Sequence, residues 1–114
     1  MVCATPRRAN RYRPRHRSRS SGDVAPVQTW TRTDEWYDFR AQPSGVRVLA
    51  EVDESTYTGG SMGTHHPIAW THGVGAGRSV YIAMGHTEES YAEALFREML
   101  LGALRFTSGD APTP

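Results

Sequence analysis

The amino-acid sequence predicts a small α/β domain built from several strands and one terminal helix. Apolar and polar residues alternate over residues 46–52, a spacing that is typical of strands, and residues 68–72 also have the composition of a strand. Residues 79–84 are apolar on both faces, as in a central strand that is covered on both sides. Apolar residues then recur at helical spacing from residue 91 to residue 106. The length of 114 residues suits one domain.

Charge divides the chain into two unequal parts. All 13 basic residues are arginine, and seven of them precede residue 20, whereas all 12 acidic residues lie from Asp23 onward. Residues 1–22 contain too few apolar side chains for a core, so we expect a disordered head over 1–22, a domain over 23–109 and a tail over 110–114. The head could neutralise phosphates as a basic arm, but the domain is acidic and only Tyr12 is available to stack on a base. Nucleic acid is therefore not the expected partner.

No apolar run of the sequence is long enough to span a bilayer, so a membrane protein is not expected. The arginines of the head are not followed by the apolar segment of a secretory signal. The single cysteine, Cys3, cannot form an internal disulfide. We expect a cytoplasmic protein.

Within the domain, residues 34–39 combine aromatic and acidic side chains in the alternation of a short strand. A turn at 42–45 precedes the strand over 46–52, and residues 53–64 form a glycine-rich loop. Residues 68–72 and 79–84 are predicted to form a hairpin with a loop of five or six residues.

The terminal helix is expected to begin near Tyr91, because Ser90 and Glu93 have the spacing of a capping box. Gly109 is expected to end it. Gly102 lies inside the helix at a cost of about 1 kcal/mol relative to alanine, and close packing on the sheet is the expected reason.

His86 and Glu88 are the first candidates for catalysis. They follow the apolar strand and precede the helix, where α/β sheets collect ligands and catalytic groups. A carboxylate beside an imidazole fixes its tautomer and suits a general base. The alternative is structural: residues 87–89 favour the start of a helix through its dipole, and His86 bonds a neighbouring carbonyl.

A second group of candidates consists of histidines, carboxylates and tryptophans. His65, His66 and His72 could bind a metal, but their spacing matches no ligand motif, so no metal site is predicted. Five carboxylates could do acid–base work or lie at solvated strand ends: Asp34, Glu35, Asp38, Asp53 and Glu54. Trp70 could stack on a sugar ring or pack in the core.

Four segments, residues 33–39, 49–57, 62–70 and 85–91, together resemble the ThuA-like (trehalose utilisation) family. Residues 100–105 are similar to its last helix. The resemblance implies a class I glutamine amidotransferase-like fold, a flavodoxin-like sandwich. It also implies a role in carbohydrate metabolism, with trehalose, related disaccharides or their 3-keto derivatives as the small-molecule ligands. No cofactor is indicated.

In amidotransferases of this fold a His-x-Glu pair completes a cysteine triad, and His86-Thr87-Glu88 is similar in position. Cys3, in the head, is no match for the nucleophile. We therefore take His86 and Glu88 as the candidate catalytic residues, and His66, His72, Glu35 and Trp70 as the candidate ligand-binding residues. Whether the chain is an enzyme stays open.

The resemblance covers residues 30–109 and corresponds to the carboxy-terminal part of a ThuA-like domain. We therefore expect a partial sandwich with a terminal helix, and self-association through its uncovered strand edges. Two alternatives are an accessory or binding module that needs a partner, and a nucleic-acid binder acting through the basic head.

Overall fold

A computed structural model describes residues 2–4, 10–14 and 29–110 of the chain. The elements in chain order are the strands β1 (Val2–Ala4), β2 (Asn10–Pro14), β3 (Trp30–Arg32), β4 (Trp36–Asp38) and β5 (Arg47–Val52), a short 3-10 helix (Glu54–Thr56), the strands β6 (Pro67–Val74) and β7 (Gly77–Ile82), a second 3-10 helix (Glu88–Ala92) and the helix α1 (Ala94–Ser108). The prediction of a small α/β domain with a terminal helix is confirmed.

The described strands form a five-stranded sheet in the order β3-β2-β5-β6-β7 and a two-stranded ribbon of β1 and β4. Every pair is antiparallel. A flavodoxin-like sandwich is built on parallel strands, so this sheet does not confirm that finer expectation. Antiparallel pairing also explains the alternating burial in β4, where Trp36 and Asp38 are buried and Tyr37 is half-buried.

The two amino-terminal strands lie inside the segment expected to be disordered. The backbone of β1 pairs with β4, with Cys3 opposite Tyr37, and β2 lies between β3 and β5. The other residues of that head, and the tail from residue 111, lie outside the described residues. The expected disorder of the head over 1–22 stays a prediction.

The core lies between the sheet, the ribbon and α1. Trp36 from the ribbon is 1% exposed. Met99 of α1 packs against this core. The buried apolar residues around Trp36 come from the central strands and from the segment after β7: Ala50, Val52, Ile68, Ala69 and Ala83. The core is thus formed by β5, β6 and the side chains that pack on these two strands. These contacts fix the positions of the segments that follow β4 and β7.

The hairpin of β6 and β7 is confirmed, but its loop is shorter than predicted. The ladder continues to the pair Val74 and Gly77, so only two residues form the turn, and Gly75 has a φ of 59°. A two-residue turn of this kind requires positive φ, which glycine adopts without strain. The three glycines expected to form a loop mostly extend the strands instead.

The prediction that residues 79–84 form a central strand is wrong for the described sheet, in which β7 lies at the edge. The apolar residues have a different reason. The helix α1 packs against β7, and the ring of Tyr81 stacks on Trp70 at a centroid distance of 4.3 Å. The apolar residues of β7 are therefore explained by contacts with α1 and with the neighbouring strand β6, not by strands on both sides.

The helix begins later than predicted, and the capping box does not form. Glu93 precedes α1 without a side-chain cap, and Ser90 lies inside the second 3-10 helix, where its hydroxyl accepts a hydrogen bond from Arg32 at 2.5 Å. Gly109 ends the helix in the left-handed conformation, as expected. The expected close packing at Gly102 is wrong, because a side chain there would meet nothing within 4 Å.

Among the described residues, no helix has both the length and the apolar character that crossing a membrane requires.

Candidate functional site

A buried carboxylate just before β4 organises the segment that follows β7. Asp34 is 3% exposed. One of its oxygens accepts a hydrogen bond from the backbone N–H of Gly85 at 2.7 Å, and the other accepts one from the N–H of His86 at 3.0 Å. The guanidinium of Arg32 neutralises Asp34 at 2.8 Å. These contacts fix the backbone at His86 relative to the ribbon.

Arg32 is itself held inside the protein. Its guanidinium lies 4.6 Å from the ring centroid of Trp30 and 4.7 Å from that of Phe96. Burial lowers the pKa of Arg32 below its ordinary value, and the carboxylates of Asp34 and Glu93 act against that lowering. The arginine links β3, α1 and the 3-10 helix behind the site.

Gly85 provides the turn that brings His86 to the surface. Its φ is 95°, in the region that favours glycine. A Cβ at this position would lie 2.7 Å from Cζ of Phe96, so the close approach of α1 also requires glycine. The turn directs the chain away from the buried end of β7.

The imidazole of His86 contacts the carboxylate of a residue that is distant in sequence. Its Nδ1 lies 2.7 Å from Oε2 of Glu35. The histidine side chain is 59% exposed and the glutamate side chain is 17% exposed, so the pair lies where a half-buried carboxylate meets solvent. A carboxylate at Nδ1 holds the proton on that nitrogen, which leaves Nε2 as the atom that can take a proton from a ligand.

The pair lies in the wall of a cleft of about 240 Å³. Tyr37 and Tyr81 contribute aromatic side chains to it, and residues 82–85 contribute the remaining wall. Tyr81 is supported from behind, because Trp70 stacks on it and Phe39 meets both rings edge to face. Trp70, expected to bind ligand, thus supports a residue of the cleft without lining it.

The other catalytic candidate, Glu88, is not brought to His86. It begins the short 3-10 helix after Thr87, and within residues 29–110 its carboxylate forms no ion pair with the imidazole. The carboxylate partner is Glu35 instead. Glu35 was predicted as a ligand-binding residue, but its pairing with His86 joins two segments 51 residues apart and has no signal in the local spacing.

His72 lies in a separate groove of about 410 Å³, together with Arg78 and Phe106. Its Nδ1 is buried and has no hydrogen-bond partner among the described residues. The structure therefore does not join this predicted ligand-binding residue to the cleft.

His66 lies in a second cluster, which the sequence did not reveal. The histidine is fully buried, and its Nδ1 lies 2.7 Å from Oε1 of Glu54 and 3.2 Å from the hydroxyl of Tyr57. Its Nε2 lies 3.0 Å from the carbonyl oxygen of Tyr37 and 3.9 Å from Oδ1 of Asp38. His66 thereby connects the glycine-rich loop to the ribbon that carries the cleft residue Tyr37.

The negative charges of this second cluster also affect its tyrosine. Burial raises the pKa of Tyr57 above its ordinary value, and the nearby carboxylates of Glu54 and Asp38 raise it further. The phenol is thus kept neutral and cannot itself balance a charge. Asp38 and Glu54 were predicted only as carboxylates at strand ends, because residues 38, 54 and 66 are too widely spaced to form a local motif.

Comparison with known proteins identifies a family. The sequence model of the ThuA family, described as trehalose utilisation, matches residues 5–107. The match begins within the arginine-rich head and ends within α1, so it covers nearly the whole chain. Neither a curated protein nor a solved structure matches it.

Proposed function

The chain belongs to the ThuA, trehalose utilisation, family, and on that premise we propose that the cleft beside His86 binds a sugar of the trehalose class. The observation that carries this proposal is the contact of His86 with Glu35 at 2.7 Å in the wall of that cleft. The family match supports a general role in trehalose utilisation.

The cleft has the two features that sugar binding requires. Tyr37 and Tyr81 offer aromatic faces and edges to the C–H groups of a pyranose ring, and their hydroxyls can bond its oxygens. Glu35 offers a carboxylate, which is the strongest acceptor for sugar hydroxyls. The stacking of Trp70 on Tyr81 holds this tyrosine in place before a ligand arrives.

The contact between Glu35 and His86 also supports a chemical role. Glu35 holds the proton on Nδ1 of His86, so Nε2 can accept a proton from a sugar hydroxyl or from the carbon beside a keto group. Such a base serves the 3-keto sugars that the family resemblance implies. Glu88 forms no ion pair with His86, so any role of its carboxylate would be in direct contact with the ligand.

Two finer statements are part of this proposal. The first is a glutamine amidotransferase-like sandwich; it is supported by the family and not by the pairing of the described strands. The second is that the chain corresponds to the carboxy-terminal part of a longer domain; the family match over residues 5–107 does not add support for it.

The proposal is tested by calorimetric titration of the protein with trehalose, 3-ketotrehalose and an unrelated hexitol. We expect saturable binding of one of the two disaccharides and none of the hexitol. The variants Glu35→Gln and His86→Ala are expected to weaken binding about tenfold or more, because each loses a charge-assisted hydrogen bond.

His65→Ala is the matched control. His65 is 67% exposed and also faces a carboxylate, Glu51 at 3.5 Å, but it does not line the cleft. The His65→Ala protein should bind the sugar with the same affinity as the parent protein. Equal affinity of the parent, Glu35→Gln and His86→Ala proteins, all folded by circular dichroism, would refute this site.

A further inference from the structure

Three residues outside the cleft bring potential metal ligands together. One ligand atom each from Asp38, Glu54 and His66 lies within 4.8 Å of the others. Asp38 belongs to β4, Glu54 to the first 3-10 helix, and His66 immediately precedes β6. Three elements of the fold thus converge on one buried point, and no two of these ligands are close in sequence.

Among the described residues, the charges at this point do not balance. Asp38 is 5% exposed and the side chain of Glu54 is 14% exposed, so both carboxylates are largely removed from water. Within residues 29–110, the imidazole of His66 is the one group within ion-pair distance that can carry a positive charge toward either of them. Even a fully charged imidazolium would therefore leave one negative charge uncompensated, which is costly in a buried place.

The two carboxylate oxygens of Asp38 differ in their contacts. Its Oδ2 accepts a hydrogen bond from the hydroxyl of Ser61 at 2.6 Å. Its Oδ1 is buried and accepts no hydrogen bond from the described residues, although it lies 3.9 Å from Nε2 of His66. A buried carboxylate oxygen without a partner is an acceptor that a cation would satisfy.

The hydrogen bonds of His66 define which nitrogen is a ligand. Nε2 faces the carbonyl oxygen of Tyr37 at 3.0 Å, and a carbonyl can only accept, so this nitrogen carries the proton. Nδ1 then faces Oε1 of Glu54 at 2.7 Å. Two lone pairs cannot face each other at that distance unless a proton or a metal ion lies between them.

We propose that Asp38, Glu54 and His66 bind one divalent first-row transition-metal ion, with Nδ1 of the histidine and an oxygen of each carboxylate as ligands. One imidazole with two carboxylates suits Zn²⁺ or Mn²⁺ better than Mg²⁺ or Ca²⁺, which prefer oxygen ligands alone. Three protein ligands also leave a coordination position open for water or a small ligand.

The surroundings of the three residues match those of ligands in metal sites. The carbonyl of Tyr37 orients the imidazole through its distal N–H. The N–H groups of Met62 and Gly63 hold the two oxygens of Glu54 at 2.9 and 3.0 Å. Metal-binding histidines and carboxylates are oriented by such hydrogen bonds, whose loss weakens metal binding about 10- to 100-fold.

The test is titration of the full chain, without a histidine tag and after chelator treatment, with Zn²⁺ in a calorimeter. We expect one Zn²⁺ per chain and a rise in melting temperature. About one proton should be released per ion, because the metal displaces the proton between Nδ1 and Glu54. Repeating the titration in buffers of different ionisation enthalpy measures that release. Co²⁺ should give the visible absorption of a low-symmetry site.

The key variants are Asp38→Asn and Glu54→Gln, which keep the side-chain shape and remove the charge. We expect Asp38→Asn to bind Zn²⁺ at least tenfold more weakly and to melt no lower than the metal-free parent, because it removes an uncompensated buried charge. His65→Asn, next to His66 but 67% exposed, is the matched control and should bind as the parent does. The proposal fails if the parent protein binds no Zn²⁺. It also fails if Asp38→Asn and Glu54→Gln bind Zn²⁺ as tightly as the control His65→Asn does.

Discussion

Asp34 and Glu35 are neighbours in the chain and have different roles because of the alternation of extended backbone. Asp34 faces the interior, where it holds the N–H groups of Gly85 and His86. Glu35 faces the cleft and pairs with the imidazole of His86. One residue therefore fixes the backbone of the histidine and the other orients its ring. The sequence showed two carboxylates at a strand end but could not show that both reach the same distant residue.

A first prediction at this scale concerns Gly85. Gly85→Ala forces a positive φ on alanine and places a Cβ 2.7 Å from the ring of Phe96. We expect the free energy of unfolding to fall by about 2 kcal/mol, measured by urea denaturation followed by circular dichroism.

Gly102→Ala is the matched control, since its helical backbone has open space around it and alanine should raise stability by up to about 1 kcal/mol. Equal effects of the two substitutions would contradict the turn described at Gly85.

A second prediction concerns the pH dependence of stability. The pKa of Tyr57 is raised above its ordinary value of 10.0, so the folded protein holds the phenol proton more tightly than the unfolded chain. The stabilisation from this group is fully present below pH 10 and is lost as the pH rises further, because the unfolded state then releases the proton first.

The melting temperature of the parent protein should consequently fall more steeply above pH 10 than that of Tyr57→Phe, which has no proton to lose at this position. Parallel curves for the two proteins, recorded by differential scanning calorimetry, would show that Tyr57 is not held in the second cluster.

At the scale of elements, the sequence predicted those whose signal is local. The β5 strand, the β6–β7 hairpin and the end of α1 at Gly109 all follow from alternation or from positive-φ glycine. The errors occur where a tertiary contact competes with a local rule. Ser90 lies inside the second 3-10 helix, where its hydroxyl accepts a hydrogen bond from Arg32, a residue 58 positions away, and Glu93 occupies the cap position of α1. The apolar residues of β7 contact α1 and the neighbouring Trp70, and among the described strands only β6 flanks β7.

The same reasoning explains which parts of the candidate sites could be anticipated. A position for His86 just beyond an apolar strand follows from strand order and the glycine before it. Its partner Glu35 does not, and neither does the cluster of Asp38, Glu54 and His66. Those contacts depend on the pairing of β1 with β4 and on the path of the loop over 53–63, and neither leaves a periodic pattern.

For the whole molecule, the exposed edge of β7 and the outer side of α1 predict self-association. Among the described residues, β7 has a strand on only one side, and Leu101 and Leu104 are 47% and 67% exposed. Unpaired strand edges and exposed apolar side chains favour contact with a second chain. We expect the mass measured by light scattering after size-exclusion chromatography to rise with protein concentration.

Leu104→Lys should reduce that rise, whereas Arg97→Lys, on the same helix and exposed, should leave it unchanged. A monomer at every concentration would contradict the prediction and show that these surfaces are compatible with an isolated chain.

The bonds from Asp34 to the backbone of Gly85 and His86 have a consequence for hydrogen–deuterium exchange. Both amides lie beyond the end of β7, so a side chain and not a sheet ladder shields them from solvent. Their protection depends on the ribbon remaining docked against the residues after β7. Slow exchange at these two amides therefore reports that the cleft is assembled, and exchange faster than in the neighbouring strand would reveal its opening without any ligand present.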